Sequence, residues 1–103
     1  MKQTTLAIDL PKEEIKQFCQ RYSIRKLSLF GSVLRDDFTE ESDLDVLVEF
    51  EAGKTPGLAI ITMQDELSKM TNCRVDLRTP VDLSRYFRDR VLSEAIVIYD
   101  RNR

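Results

Sequence analysis

Residues 43–50 restrict the fold more than any other stretch, because apolar and polar side chains alternate along them. One side of a β-strand here would carry Leu44, Val46, Val48 and Phe50, and the other side Asp43, Asp45, Leu47 and Glu49. A strand with one apolar side belongs to a sheet that packs on helices through that side. The pattern therefore predicts a layered domain in which Asp43, Asp45 and Leu47 face away from the core.

Helical and strand-like patterns alternate along the rest of the chain. Apolar spacing and capping signals predict helices over residues 11–22, 32–34, 58–70 and 83–95. Apolar runs predict strands over residues 27–30, 43–50, 73–77 and 96–99. Residues 23–25 interrupt the first helical pattern. This order of elements predicts an α/β (α+β) fold.

The 103 residues suit a single domain spanning 1–103, and 42% hydrophobic content favours a folded, soluble protein. No apolar run reaches the roughly 18 residues of a membrane span, and the N-terminus lacks an apolar signal region. Cys19 and Cys73 form no disulfide framework, so a cytoplasmic location is expected. A net charge of −2 argues against direct nucleic-acid binding. The chain has no histidine, which excludes a His-ligated zinc site.

Asp43 and Asp45 are two positions apart on a strand, so their bases lie roughly 6–7 Å apart on the same side. Two like charges at that range repel by roughly 2 kcal/mol at an effective dielectric of 20. A divalent cation between them would remove the repulsion, and oxygen ligands alone favour Mg²⁺ or Mn²⁺. The alternative is that a short D-x-D motif only solvates the exposed side of a sheet.

Asp76 lies on the non-core side of its predicted strand, between Val75 and Leu77. If this strand neighbours residues 43–50, three carboxylates converge. Three carboxylates can hold two metal ions about 3.5–4 Å apart, the arrangement used for displacement at phosphorus.

Gly31-Ser32 follows a predicted strand and opens a predicted short helix. Backbone N–H groups at such a turn bind anions, and glycine lets a phosphate approach closely. The Ser32 hydroxyl adds one donor. The alternative is a plain turn with Ser32 as a helix N-cap.

The complete pattern, F-G-S-x₁₀-D-x-D followed by apolar residues, resembles the nucleotidyltransferase fold typified by the DNA polymerase beta palm. It is most similar to the minimal, single-domain branch of that superfamily. The resemblance covers about residues 10–99, and its most specific segments are 29–50, 74–80 and 88–95. It implies a small mixed sheet flanked by helices.

The resemblance also implies site residues. Gly31 and Ser32 would bind the β- and γ-phosphates of ATP, and Asp43 and Asp45 would coordinate two metal ions, Mg²⁺ or Mn²⁺. Asp76 would bind the catalytic metal and help to deprotonate the attacking hydroxyl.

Proteins of the minimal branch typically pair with a small helical HEPN-type toxin. The resemblance therefore implies an antitoxin that transfers AMP from ATP to a hydroxyl, such as a tyrosine, of that partner, which supplies the acceptor on another polypeptide. A binding module that neutralises the partner by occlusion, with a weak or vestigial active site, is one alternative. Nucleotidyl transfer to a small molecule or to RNA is another, although the negative net charge argues against RNA.

Other residues allow two interpretations. Three arginines either contact phosphate or simply face solvent: Arg35, Arg74 and Arg78. Three others either bind an acidic partner or form a solvated helix face: Arg85, Arg88 and Arg90. Tyr86 and Phe87 either stack on a base or pack in the core. No short motif indicates the preferred base.

Overall fold

A four-stranded sheet and three helices account for most of the computed structural model, which describes residues 10–34, 39 and 41–101. The strands are β1 (Ile24–Phe30), β2 (Leu44–Phe50), β3 (Val75–Arg78) and β4 (Ile96–Asp100). The helices are α1 (Lys12–Arg21), α2 (Ala59–Thr71) and α3 (Arg88–Glu94). Two 3₁₀ turns, Gly31–Leu34 and Pro80–Asp82, follow β1 and β3. The predicted α/β class and small mixed sheet are confirmed.

The strands lie side by side in the order β3-β2-β1-β4. β1 pairs antiparallel with β2 and with β4, whereas β2 and β3 are parallel. A parallel pair needs a crossover connection, and α2 lies within the one between β2 and β3. The carboxyl end of β1, where the Gly31–Leu34 turn begins, lies beside the amino end of β2 because Phe30 is paired with Asp45.

The core lies between the sheet and the helices α1 and α2. Its fully buried members include Phe18 and Cys19 from α1, Met63 from α2, and Leu27 and Val48 from the strands. On α1, acidic residues lie in the first turn and Arg21 in the last, which suits the helix dipole. No helix in the described part of the chain is long and apolar enough to cross a membrane.

Two left-handed residues set strand boundaries that differ from the predicted ones. Ser23 has φ 57° and ends the turn after α1, so pairing starts at Ile24 and β1 is three residues longer than predicted. Asn72 has φ 56° and caps α2, a position where asparagine is tolerated in this conformation. The chain then enters β3 at Val75 rather than at residue 73.

Leu47 lies on the non-core side of β2 with the aspartates, as predicted, but this side is not open to solvent at Leu47. Only 1% of its surface is exposed. The Pro80–Asp82 turn contacts β2, and Leu83 beside it is also buried. Ser28 of β1, which is paired with Leu47 in the β1–β2 ladder, is buried as well. This side of the sheet is therefore covered at Leu47 and more open at Asp43 and Asp76.

The predicted helix over residues 83–95 was wrong in its first half. Thr79 and Asp82 form a capping box around the Pro80–Asp82 turn, and Leu83 is extended. The Ser84 carbonyl then accepts hydrogen bonds from the N–H groups of Phe87 and Arg88, at 3.1 and 2.9 Å. Residues 85–87 form a turn that closes on this carbonyl, and the regular helix starts only at Arg88.

Candidate active site

The site is built where the chain turns sharply between β1 and the Gly31–Leu34 turn. Gly31 has φ +79°, a conformation that other L-residues rarely adopt. A methyl group at Gly31 would overlap the Asp45 carboxylate and lie 3.1 Å from its Cγ atom. The absence of a side chain therefore lets the backbone of the turn lie directly against the carboxylate of the next strand.

The register of the strands brings the two predicted carboxylates, Asp45 and Asp76, beside the end of β1. Asp45 is paired with Asp76 across the parallel β2–β3 ladder and with Phe30 across the antiparallel β1–β2 ladder. Paired residues on neighbouring strands project to the same face, about 5 Å apart at the backbone. Asp76 thus lies beside Asp45, as the spacing predicted if the two strands were neighbours. Gly31 lies against Asp45 from the β1 side, so Gly31, Asp45 and Asp76 form one row.

Two arginines interleave with the aspartates on this face. The Nε atom of Arg74 donates to Asp43 Oδ1 at 2.5 Å, and its Nη2 atom donates to the Glu41 carbonyl at 3.1 Å. Arg78 donates to both Asp76 carboxylate oxygens at 3.2–3.3 Å. These bonds, followed by the charge of Asp76, raise the pKa of Arg78 further above its ordinary value. Each guanidinium therefore places a positive charge directly beside a carboxylate.

Asp76 is held in place by side chains of α2 that the sequence interpretation overlooked. The Val75 N–H donates to Ser68 Oγ at 3.0 Å, and the Leu77 N–H donates to Gln64 Oε1 at 2.9 Å. These donors sit on either side of Asp76 on the outer edge of β3. The available signal was the pair of polar residues four apart, each directly beside an apolar position of α2, Met63 or Leu67.

The set of candidate metal ligands suits a hard divalent cation in its atom type and in the positions of two of its residues on neighbouring strands. It consists of carboxylate oxygens, in a chain without histidine, and two of the carboxylates are register neighbours. Among the described residues, no group of three His, Cys, Asp or Glu side chains lies close enough together to hold a metal ion. Asp43 and Asp76 are turned towards arginines. The assignment of Asp43, Asp45 and Asp76 as metal ligands therefore stays a prediction.

The other candidate residues have different outcomes. Arg35 and the side chain of Ser32 lie outside the described residues. Tyr86 and Phe87 are exposed, at 93% and 46%, so neither is a core residue. Phe87 lines a cleft beside Gly31, whereas Tyr86 does not.

A family model and two relatives that match this chain are all named for nucleotidyl or adenylyl transfer. The family model described as "Polymerase beta, Nucleotidyltransferase" matches residues 13–103. The protein adenylyltransferase MntA of Thermococcus cleftensis is 32% identical over 84 residues, covering 81% of this chain and 83% of the relative. A protein of Methanocaldococcus jannaschii named for an inferred protein adenylyltransferase activity is 33% identical over 85 residues, covering 82% and 90%.

Two solved structures resemble the fold. One, described as a minimal nucleotidyltransferase, superposes with a TM-score of 0.69 at 36% identity and covers 82% of this chain and 86% of that one. The other is a chain from a toxin–antitoxin complex crystallised with AMP-PNP, with a TM-score of 0.70 at 19% identity and coverage of 88% and 74%. The second likeness concerns the fold alone.

Proposed function

The chain belongs to the polymerase beta nucleotidyltransferase family. We propose that it transfers AMP from ATP to a hydroxyl group, preferably that of a tyrosine, on a HEPN-type toxin partner. It would thereby act as the antitoxin of a toxin–antitoxin pair. The observation that carries the proposal is the row formed by Gly31, Asp45 and Asp76. It combines a close backbone approach for phosphate with two adjacent carboxylates.

The names of similar proteins support our assignment of a toxin protein as the acceptor of AMP. The relative from Thermococcus cleftensis is named a protein adenylyltransferase. Chains from a complex called the toxin–antitoxin MntA–HepT share the fold at 17% identity, with a TM-score of 0.63. A protein hydroxyl on a toxin is therefore the acceptor class we assign to this chain.

In the proposed reaction, the acceptor hydroxyl oxygen attacks the α-phosphorus of ATP. The bond between the α-phosphorus and the bridging oxygen breaks, and diphosphate leaves. The hydroxyl proton passes to the Asp76 carboxylate and then to solvent. Backbone N–H groups of Gly31 and Ser32 hold the β- and γ-phosphates, and the rigid strand register fixes Asp76 relative to them, which is the positioning that phosphoryl chemistry requires.

Asp43, Asp45 and Asp76 would hold the two divalent metal ions, Mg²⁺ or Mn²⁺, with Asp43 and Asp76 exchanging their arginine partners for them. When bound, the metal ions neutralise charge that develops around the transferred phosphorus. Arg74 and Arg78, displaced from the carboxylates, remain on the same face and can contact the phosphates of ATP.

The test combines the chain, a HEPN-type toxin as the candidate partner, Mg²⁺ and ATP labelled on the α-phosphate. Label is expected on a tyrosine of the partner, located by mass spectrometry. Asp45→Asn should abolish the transfer, and Asp65→Asn, on the exposed side of α2, is the matched control that should transfer normally. Absence of label with a correctly folded wild-type pair would sink the proposal.

The same variants distinguish catalysis from occlusion. If Asp45→Asn still neutralises the toxin in cells, binding alone is sufficient for neutralisation. If neutralisation is lost together with label transfer while the two proteins still copurify, the antitoxin acts through the reaction.

A further inference from the structure

A cleft of about 300 Å³ lies between the Gly31–Leu34 turn and α3. One wall is formed by Phe30, Gly31 and Leu34, and the α3 side contributes Phe87, Arg90 and Glu94. Most of the lining is apolar, and the charged groups lie on the α3 side. Its volume lies at the lower end of the range for small-molecule sites, which combine an apolar lining with a few polar groups.

The cleft is continuous with the carboxylate row. Gly31 forms part of its wall and also contacts Asp45. Phe30, another wall residue, is the register partner of Asp45. A triphosphate bound against Gly31 would therefore have the mouth of this cleft within reach of the rest of the nucleotide.

We propose that the cleft receives the nucleobase of the donor nucleotide, which stacks on Phe87. This inference rests on the proposed function, because it assigns the base of the same substrate. Phe87 is 46% exposed, so its ring is available to a ligand without unfolding. Aromatic side chains bind bases through stacking, which tolerates any base identity.

Arg90 and Glu94 supply the polar edge of this site. They are one helical turn apart and form an ion pair, with Arg90 Nε and Glu94 Oε2 3.3 Å apart. The pair presents guanidinium donors next to a carboxylate acceptor. Adenine carries an amino donor beside a ring-nitrogen acceptor, so its edge is complementary to the pair. Both side chains are mostly exposed, and the ion pair itself contributes little to stability, so a base can replace it.

The chain offers a matched control at the neighbouring position. Tyr86 is also aromatic and is 93% exposed, but it does not line the cleft. Tyr86→Ala therefore removes a similar aromatic surface next to α3 without changing the proposed base site.

The experiment is calorimetric titration of the full chain with Mg²⁺–ATP and, separately, with inorganic tripolyphosphate, which has no base. We expect wild type to bind ATP more tightly, and Phe87→Ala to weaken ATP binding by roughly 5- to 100-fold while leaving tripolyphosphate binding unchanged. Tyr86→Ala should change neither. Phe87→Leu, which keeps the apolar volume, should also weaken ATP binding selectively and serves if the alanine variant does not fold.

Equal affinities of wild type for ATP and tripolyphosphate would overturn the assignment, as would a Phe87 variant that weakens both ligands alike or neither. Failure of the proposed function has a different signature. If wild type binds ATP through Phe87 but transfers no AMP to the partner, the base site stands and the proposed reaction falls.

Discussion

Replacing Gly31 with alanine tests the close approach on which the site depends, and the chain contains an internal reference for it. Gly31 and Gly53 have nearly the same positive φ, +79° and +75°. A Cβ atom at Gly53 would meet nothing within 4 Å, whereas at Gly31 it would collide with the Asp45 carboxylate. The two alanine variants therefore share the conformational cost and differ in the collision.

The expected magnitudes follow from these two contributions. A left-handed backbone costs an L-residue about 1–2 kcal/mol, which applies to both variants. Forcing an extra carbon into a packed site adds about 1–3 kcal/mol, which applies to Gly31→Ala alone. We expect Gly53→Ala to lower the free energy of unfolding by about 1–2 kcal/mol and Gly31→Ala by about 2–5 kcal/mol. For a domain of this size, each kcal/mol corresponds to about 4–8 °C in Tm.

The assay is urea denaturation at neutral pH of both variants, alone and in an Asp45→Ala background. Truncating Asp45 removes the atoms that the new methyl group would meet, so Gly31→Ala should then cost no more than Gly53→Ala. The double-mutant cycle isolates this coupling from any other effect of losing Asp45. Equal costs for the two glycine variants, or a Gly31–Asp45 coupling below about 0.5 kcal/mol, would refute the reasoning.

Three further outcomes are expected. Leu47→Ala should lower the free energy of unfolding by about 2–5 kcal/mol in denaturant titrations, because Leu47 is buried; a loss below about 0.5 kcal/mol would contradict this. Arg78→Ala should tighten Mn²⁺ binding several-fold in titrations followed by electron paramagnetic resonance, because the guanidinium and the cation compete for Asp76; weaker binding would contradict the competition. Burial raises the pKa of Cys19 to about 12, against about 8.5 in an unfolded chain. The folded state therefore holds this proton more tightly, stability should fall as the pH rises from about 9 to 12, and Cys19→Ala should flatten that decline.

Residue alternation along the strands and the spacing of the motifs were enough to identify Asp45, Asp76 and Gly31 from the sequence. Asp45 and Asp76 came from strand parity, and their pairing required only that the two strands be neighbours, which the parallel β2–β3 ladder provides. Gly31 was identified from its place after an apolar strand. Its positive φ and its contact with Asp45 could not be predicted, because both depend on how β1 and β2 meet in three dimensions.

Periodicity does not predict what tertiary contacts and local turns decide. Alternation correctly places Leu47 on the side of Asp45, but it does not reveal that the Pro80–Asp82 turn and Leu83 cover that part of the face. Apolar spacing suggested a helix from residue 83, but the Thr79–Asp82 capping box closes a separate turn, Leu83 is extended, and residues 85–87 form a turn before Arg88. Neither effect has a signature in a hydrophobic pattern.

The hydrogen bonds from β3 to Gln64 and Ser68 also determine how this sheet can associate with other chains. Outward N–H groups on an edge strand are a template for strand addition and aggregation. On β3 those of Val75 and Leu77 are already bonded to α2, so no foreign strand can pair with them while α2 stays docked. Among the described strands, β4 is the other edge of the sheet, at the opposite end from Asp76. Any lengthening of the sheet by a neighbouring molecule is thereby directed to β4, away from the carboxylates.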